Sequence, residues 1–176
     1  MQLSLFMALL VPGILINCVW RLPSQFTITR SRRIPYPATP IFELVNDLHN
    51  WKIWSPWEKL DSEIQYNYSG SQSGEGANMH WVGNKKVGEG VAYIVDSVAP
   101  HIICLKLDFK KPIKATYTAE FTFRPEREAT HVTWTISGKN SVIGKIFYSI
   151  INYDKMVGTQ FEKGLASLEE VVSGLK

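Results

Sequence analysis

Cysteine is scarce in this chain, charge is nearly balanced, and no metal-ligand spacing occurs; each shortage removes a class of function. Two cysteines are present in 176 residues. Cys18 lies inside an apolar N-terminal run and Cys104 inside an alternating stretch, so they are poorly placed to pair and imply no disulfide framework. Neither has the CxxC or Cys/His spacing that zinc requires, and His49, His80, His101 and His131 are scattered, so no metal is expected. Nineteen basic residues against sixteen acidic ones, a net charge of +3, are too weak and too mixed for a nucleic-acid footprint. Gly70, Gly74, Gly76, Gly83, Gly88 and Gly90 fit neither GxGxxG after a strand nor a Walker pattern. They read as hairpin turns and bulges, and no cofactor is expected. No nucleophile with a base and an orienting partner stands at persuasive spacing, nor do paired carboxylates on facing strands, so no catalytic residue is assigned.

What the chain has is an ordinary globular share of apolar residues, 45%, with 12% aromatics and six tryptophans. Its length suits one domain plus an appendage. The appendage is residues 1–22: from Leu3 to Trp20 there is no charge, just enough to span a bilayer of about 30 Å at 1.5 Å per residue, with Trp20 as an interface anchor. A cleaved signal peptide lacks its basic n-region and small-residue cleavage site here. Leu15-Ile16-Asn17-Cys18 is a poor lipobox, and Pro12-Gly13 would kink a helix packed on the domain. The expectation is therefore an uncleaved single-pass anchor in a membrane, the bacterial inner membrane, with the side of the domain left open. Arg30, Arg32 and Arg33 read first as a membrane-flanking patch, with a solvated strand face as the alternative.

Residues 23–25 form a linker and residues 26–176 the domain. Phe26, Ile28, Arg30, Arg32 and Ile34 alternate with Thr27, Thr29, Ser31 and Arg33, which predicts a strand. Thr39-Pro40 offers an N-cap and a first helical position before IFELVNDL, and HNWKIWSPWEKLD gives a further turn that breaks at Ser55-Pro56. Six strand candidates follow, near 63–69, 76–83, 88–98, 102–110, 114–124 and 129–137, with no helix between them, which predicts an antiparallel sheet. Ile103, Leu105, Leu107 and Phe109 share one face, as do Ala115, Tyr117, Ala119, Phe121 and Phe123, and Val132, Trp134 and Ile136. After residue 140 the period becomes helical. Ile143, Ile146, Phe147, Ile150, Ile151, Val157, Phe161, Leu165, Leu168 and Val172 form a stripe on a helix of some thirty residues. Gly144, Gly158 and Gly164 in it either weaken the helix, by up to about 1 kcal/mol each where exposed, or mark close approach of helix to sheet. The fold class is α+β: a seven-stranded antiparallel sheet curved around a long C-terminal helix, with two short helices after the first strand.

Ile34-Pro35-Tyr36-Pro37-Ala38 leading into IFELVNDLHNWKIWSPWEKLD, then YSGSQSGEGANMHWVGN, GEGVAYI, TWTISG and FEKGLASLEE, resemble the polyketide cyclase/dehydrase-like branch of the SRPBCC superfamily. That branch shares the helix-grip fold of START domains and the birch-pollen allergen. The resemblance covers residue 26 to the end. It implies a cavity between sheet and C-terminal helix for a hydrophobic small molecule or lipid. The expected lining is Trp54, Trp57, Tyr66, Trp81, Leu105, Leu107, Phe109, Tyr117, Phe121, Trp134 and Phe147, any of which is equally a plain core residue. Trp51, Trp54 and Trp57 form either an aromatic gate or a plug at one end of the sheet. His80 and Trp81 alternate, and Trp81 is expected to point inward. Asp47, Glu58 and Asp61 either orient a polar end of a ligand or cap turns and pair with Lys52 and Lys59.

A binding module is the leading expectation. The alternatives are a cyclase or dehydratase-like enzyme using the same pocket, with His80, Asp61 or Tyr117 handling the proton, and a protein-interaction domain with a vestigial cavity. The expected partners are thus a hydrophobic small molecule or lipid and a membrane, and no nucleic acid. The sequence leaves the oligomeric state open.

Overall fold

The alternating segment that opens the domain forms strand β1 (Gln25–Ile34), and it pairs antiparallel not with its successor but with the last strand of the chain. The computed structural model describes residues 23–139 and 152–174. Helix α1 (Ala38–Asn46), a 3₁₀ turn (Leu48–Asn50) and one α-turn, α2 (Trp51–Trp54), follow β1. Then come β2 (Gln65–Gly70), β3 (Ala77–Val82), β4 (Glu89–Val98), β5 (Ile102–Lys111), β6 (Ala115–Glu126), β7 (Ala129–Lys139) and α3 (Tyr153–Ser173). The strands make one seven-stranded antiparallel sheet in the order β1-β7-β6-β5-β4-β3-β2. The strand and short helix predictions hold to within a few residues. Of the thirty-residue helix, α3 is the described part; Ile143, Gly144, Ile146, Phe147, Ile150 and Ile151 lie outside the described residues.

Helix α1 differs at its start. It begins at Ala38, with Pro37 rather than Thr39 in the capping position and no side-chain cap. Pro40 is tolerated at the third helical position because the first four N–H groups of a helix have no partner inside it anyway. Upstream, the Thr130 hydroxyl donates to the Tyr36 carbonyl at 2.8 Å and ties this corner to β7.

Period-2 alternation gives the sheet a dry inner face and a wet outer one. Phe161, Leu165, Leu168 and Val172 of α3 are buried against the inner face. The Phe161 ring stacks on Trp134 at 3.9 Å and 5°. The glycines read as points of close approach are so: a Cβ at Gly164 would lie 2.9 Å from the Trp134 ring and 3.1 Å from Pro56, and one at Gly158 would fall 2.0 Å from the Arg30 guanidinium.

That guanidinium shows Arg30 occupied by the helix rather than free as part of a basic patch. Arg30 is in phase with Phe26 and Ile28, so it points toward the helix, where it binds Asp154 and Glu162, each at 2.9 Å. Arg32 likewise pairs with Glu169, while Arg33 on the other face approaches Glu126 at 3.7 Å. Charged residues in the apolar phase of an edge strand need partners, and the helix supplies them.

Candidate ligand-binding site

Helix α3 packs chiefly on β1 and on the two short helices, so it does not cover the whole inner face. The two ends of that face differ as a result. At the end carrying α1, Ile34, Ile41, Phe42, Val45, Leu48, Ile94, Ile103 and Phe123 are buried together. Trp51 and Trp54 seal this end. Their indole N–H groups donate to the carbonyls of Val45 (2.9 Å) and Leu44 (3.2 Å), which serves the otherwise orphaned C-terminal carbonyls of α1. The plug reading thus describes Trp51 and Trp54, while Trp57 is only half-buried.

The opposite end is where β1, β2 and α3 start, where β7 ends, and where the β3–β4 and β5–β6 turns lie. A row of rings crosses its inner face. Phe26 meets Tyr117 edge-on at 4.9 Å, Tyr117 meets Phe109 at 5.5 Å, Phe109 meets Trp81 edge-on at 5.5 Å, and Tyr153 of α3 sits edge-on to Phe26 at 5.7 Å. Registers explain how so many rings fit. Gly138 on β7 stands between Phe26 and Tyr117, and Gly90 on β4 between Phe109 and Trp81. A Cβ at Gly138 would fall 2.2 Å from the Tyr117 ring, and one at Gly90 2.5 Å from the Trp81 ring. Each ring therefore lies across the bare backbone of its neighbour, the way aromatic side chains cover strand glycines. Trp81, Leu107, Phe109 and Tyr117 are only partly buried on this face.

Polar groups are few here and most are spoken for. The Tyr66 hydroxyl donates to Glu58 at 2.5 Å, and burial together with that carboxylate pushes its pKa far up. Tyr68 stacks beside Tyr66 and on His49, with Lys52 over both tyrosine rings. Its hydroxyl is buried with no hydrogen-bond partner, and burial pushes its pKa to about 12. Trp134 Nε1, also buried, has none either. Burial raises the Tyr117 hydroxyl too. All three tyrosines stay protonated at neutral pH.

The structure divides the expected lining into two sets. Trp54, Leu105, Phe121 and Trp134 are fully buried among other side chains, while Trp57, Tyr66, Trp81, Leu107, Phe109 and Tyr117 are partly buried, the last four at the uncapped end, the one that no described helix caps. Phe147 lies outside the described residues. Phe26 and Tyr153 belong to the row and were missed; for Phe26 the signal was its phase with Ile28 on an edge strand.

Trp81 points inward as expected and His80 outward, where it faces Glu89 and Lys110, each at 3.4 Å. Asp61 caps turns, accepting from the backbone N–H of Glu63 (3.1 Å) and Asn84 (2.6 Å), and Asp47 accepts from His49. Of the proton-handling candidates only Tyr117 is on the inner face, and of the three carboxylates only Glu58 turns to it. Cys104 is unpaired on the outer face, and burial raises its thiol pKa. A shallow outer depression beside Glu75, Tyr93, Val95 and Lys106 is open to solvent and separate from the row. Among the described residues no group of three His, Cys, Asp or Glu could hold a metal, and no helix is long and apolar enough to cross a membrane; the expected anchor, residues 1–22, lies outside them.

Comparison with known proteins agrees with this geometry. The family model described as polyketide cyclase/dehydrase and lipid transport matches residues 25–173. Among solved structures, protein MLL2253 from Mesorhizobium loti superposes with a TM-score of 0.64 at 11% identity, covering 86% of this chain and 99% of that one. The Aha1 dimer from Colwellia psychrerythraea gives 0.59 at 15%, covering 82% and 94%. Ara h 8.0201 gives 0.60 at 9%, covering 85% and 99%. At such identities the likeness speaks for the helix-grip fold alone. The search of curated proteins gives no match.

Proposed function

Because the chain belongs to the polyketide cyclase/dehydrase and lipid transport family, we propose that it binds a hydrophobic small molecule or lipid on the uncapped inner face, for carriage or sensing, while residues 1–22 tether it to a membrane. One observation supports the reading: Trp81, Leu107, Phe109 and Tyr117 stay only partly buried on an inner wall that no described helix covers. Apolar surface left exposed in a concavity costs free energy at about 25 cal/mol per Å² until something covers it. The ligand's apolar body lies on the ring row. Tyr117, protonated at neutral pH like any phenol and shifted further up by burial, serves as a donor rather than a base.

The test is native mass spectrometry of the full chain released from nanodiscs, followed by organic extraction. A stoichiometric apolar adduct that is lost in Trp81→Ala and Phe109→Ala supports the reading. A clean apo mass, together with no uptake of a hydrophobic dye, sinks it.

A further inference from the structure

The uncapped end carries more than the ring row. Lys85 and Lys86 sit in the β3–β4 turn, Lys110 and Lys111 at the end of β5, Lys114 in the β5–β6 turn and Lys139 at the end of β7, all exposed. Lys110 and Lys111 lean on Glu89, at 3.9 and 2.8 Å; Lys85, Lys86, Lys114 and Lys139 make no ion pair with any described residue. Against these six stand Glu58, Asp61, Glu63 and Glu89, since Asp154 is neutralised by Arg30 and Asp108 by Lys106. Between Lys111 and Lys114, at the tip of its turn, Ile113 is 43% exposed, and Val82 beside the other turn is 39% exposed. Lysines flanking an apolar tip match an interface in which charge meets lipid headgroups and a side chain enters beneath them. A nucleic acid would use the lysines and leave Ile113 without a role.

Chain connectivity points the same way. β1 begins at this end, at Gln25, and the uncharged run of residues 3–20 ends five residues earlier, a span of no more than roughly 17 Å fully extended.

We infer that the uncapped end is a docking surface for an anionic lipid bilayer, with Lys85, Lys86, Lys110, Lys111, Lys114 and Lys139 on headgroups and Ile113 inserted, so that the ring row opens toward the membrane. The inference rests on the ligand-binding reading for its use. The docked domain takes a molecule from the bilayer, or delivers one to it, without exposing it to water.

The experiment uses the full chain with Cys18→Ser, Cys104→Ser and Ile113→Cys, labelled with an environment-sensitive dye and placed in phosphatidylcholine vesicles with or without phosphatidylserine. Docking predicts blue-shifted emission and shielding from an aqueous quencher only with phosphatidylserine, both reversed by high salt. Lys85→Gln with Lys114→Gln, which leaves no carboxylate unmatched, lowers the docked-to-undocked ratio about 25-fold, roughly fivefold per lysine. Circular dichroism checks that the variant is folded. Emission that is equal in both vesicles, or unmoved by the double substitution, overturns the inference. So does shielding that needs an added DNA duplex instead of anionic lipid. Organic extraction of the same samples separates the two readings: an apolar adduct without a dye shift removes docking and keeps ligand binding, and a dye shift without an adduct does the reverse.

Discussion

The two ends of the inner face are built from the same strands, with the same alternation, yet one is a finished core and the other a half-open wall. Leu105 and Leu107 show the contrast two residues apart on one strand. They share a face of β5, yet Leu105 is fully buried in the core cluster while Leu107 is only partly buried at its margin, where no described helix covers it. In this fold the sheet decides which residues face inward, and the helices decide which of those are filled in.

The contrast can be broken most directly by truncating one ring at each end. Phe161→Ala removes the ring stacked on Trp134 and should cost about 3–5 kcal/mol, read from chemical denaturation. Trp81→Ala at the uncapped end should cost only about 1–2 kcal/mol, because the ring is half-exposed, while abolishing the apolar adduct. Equal losses would mean that the uncapped wall is ordinary core. Tyr68→Phe removes a buried hydroxyl that has no partner and should change stability by less than about 1 kcal/mol at neutral pH. Its effect appears in alkali. The folded pKa of about 12 exceeds the unfolded value of 10.0, so the Tyr68 contribution is fully present below pH 10 and is lost as the pH rises toward 12. The wild-type chain should therefore lose stability more steeply than the variant across that window, measured by denaturation at fixed pH. The smallest effect belongs to the clasp between β1 and α3. Glu169→Gln loses one exposed ion pair with Arg32 and should cost under about 1 kcal/mol, less still at high salt.

Much of the sheet was legible because alternation is a local property: the phase of Phe109, Leu107 and Leu105, or of Phe121 and Tyr117, is set by the pleat alone. Which of these residues line a wall was not legible, since Leu105 and Leu107 have identical local signatures and differ only in what a distant helix covers. The arginines show the same limit. Arg30 and Arg32 were in phase with Phe26 and Ile28 from the outset, but their partners Asp154, Glu162 and Glu169 lie more than a hundred residues on, so nothing local distinguished a clasped arginine from a solvated or membrane-facing one. Gly90 and Gly138 could be suspected as strand glycines; that Trp81 and Tyr117 lie across them depends on register, which the sequence leaves unstated.

The pairing of β1 with β7 also orders events in time. Gln25 meets Lys139 and Ile34 meets Thr130, so the first strand to leave the ribosome waits, unpaired, for nearly the last. Until then β1 exposes Phe26, Ile28 and Ile34, and its arginines have no helix to clasp. Contacts this distant along the chain make folding slow and leave a nascent edge open to aggregation. A chain cut short before residue 129 would lose both strand and helix partners of β1, and synthesis would have to be complete before the domain could close.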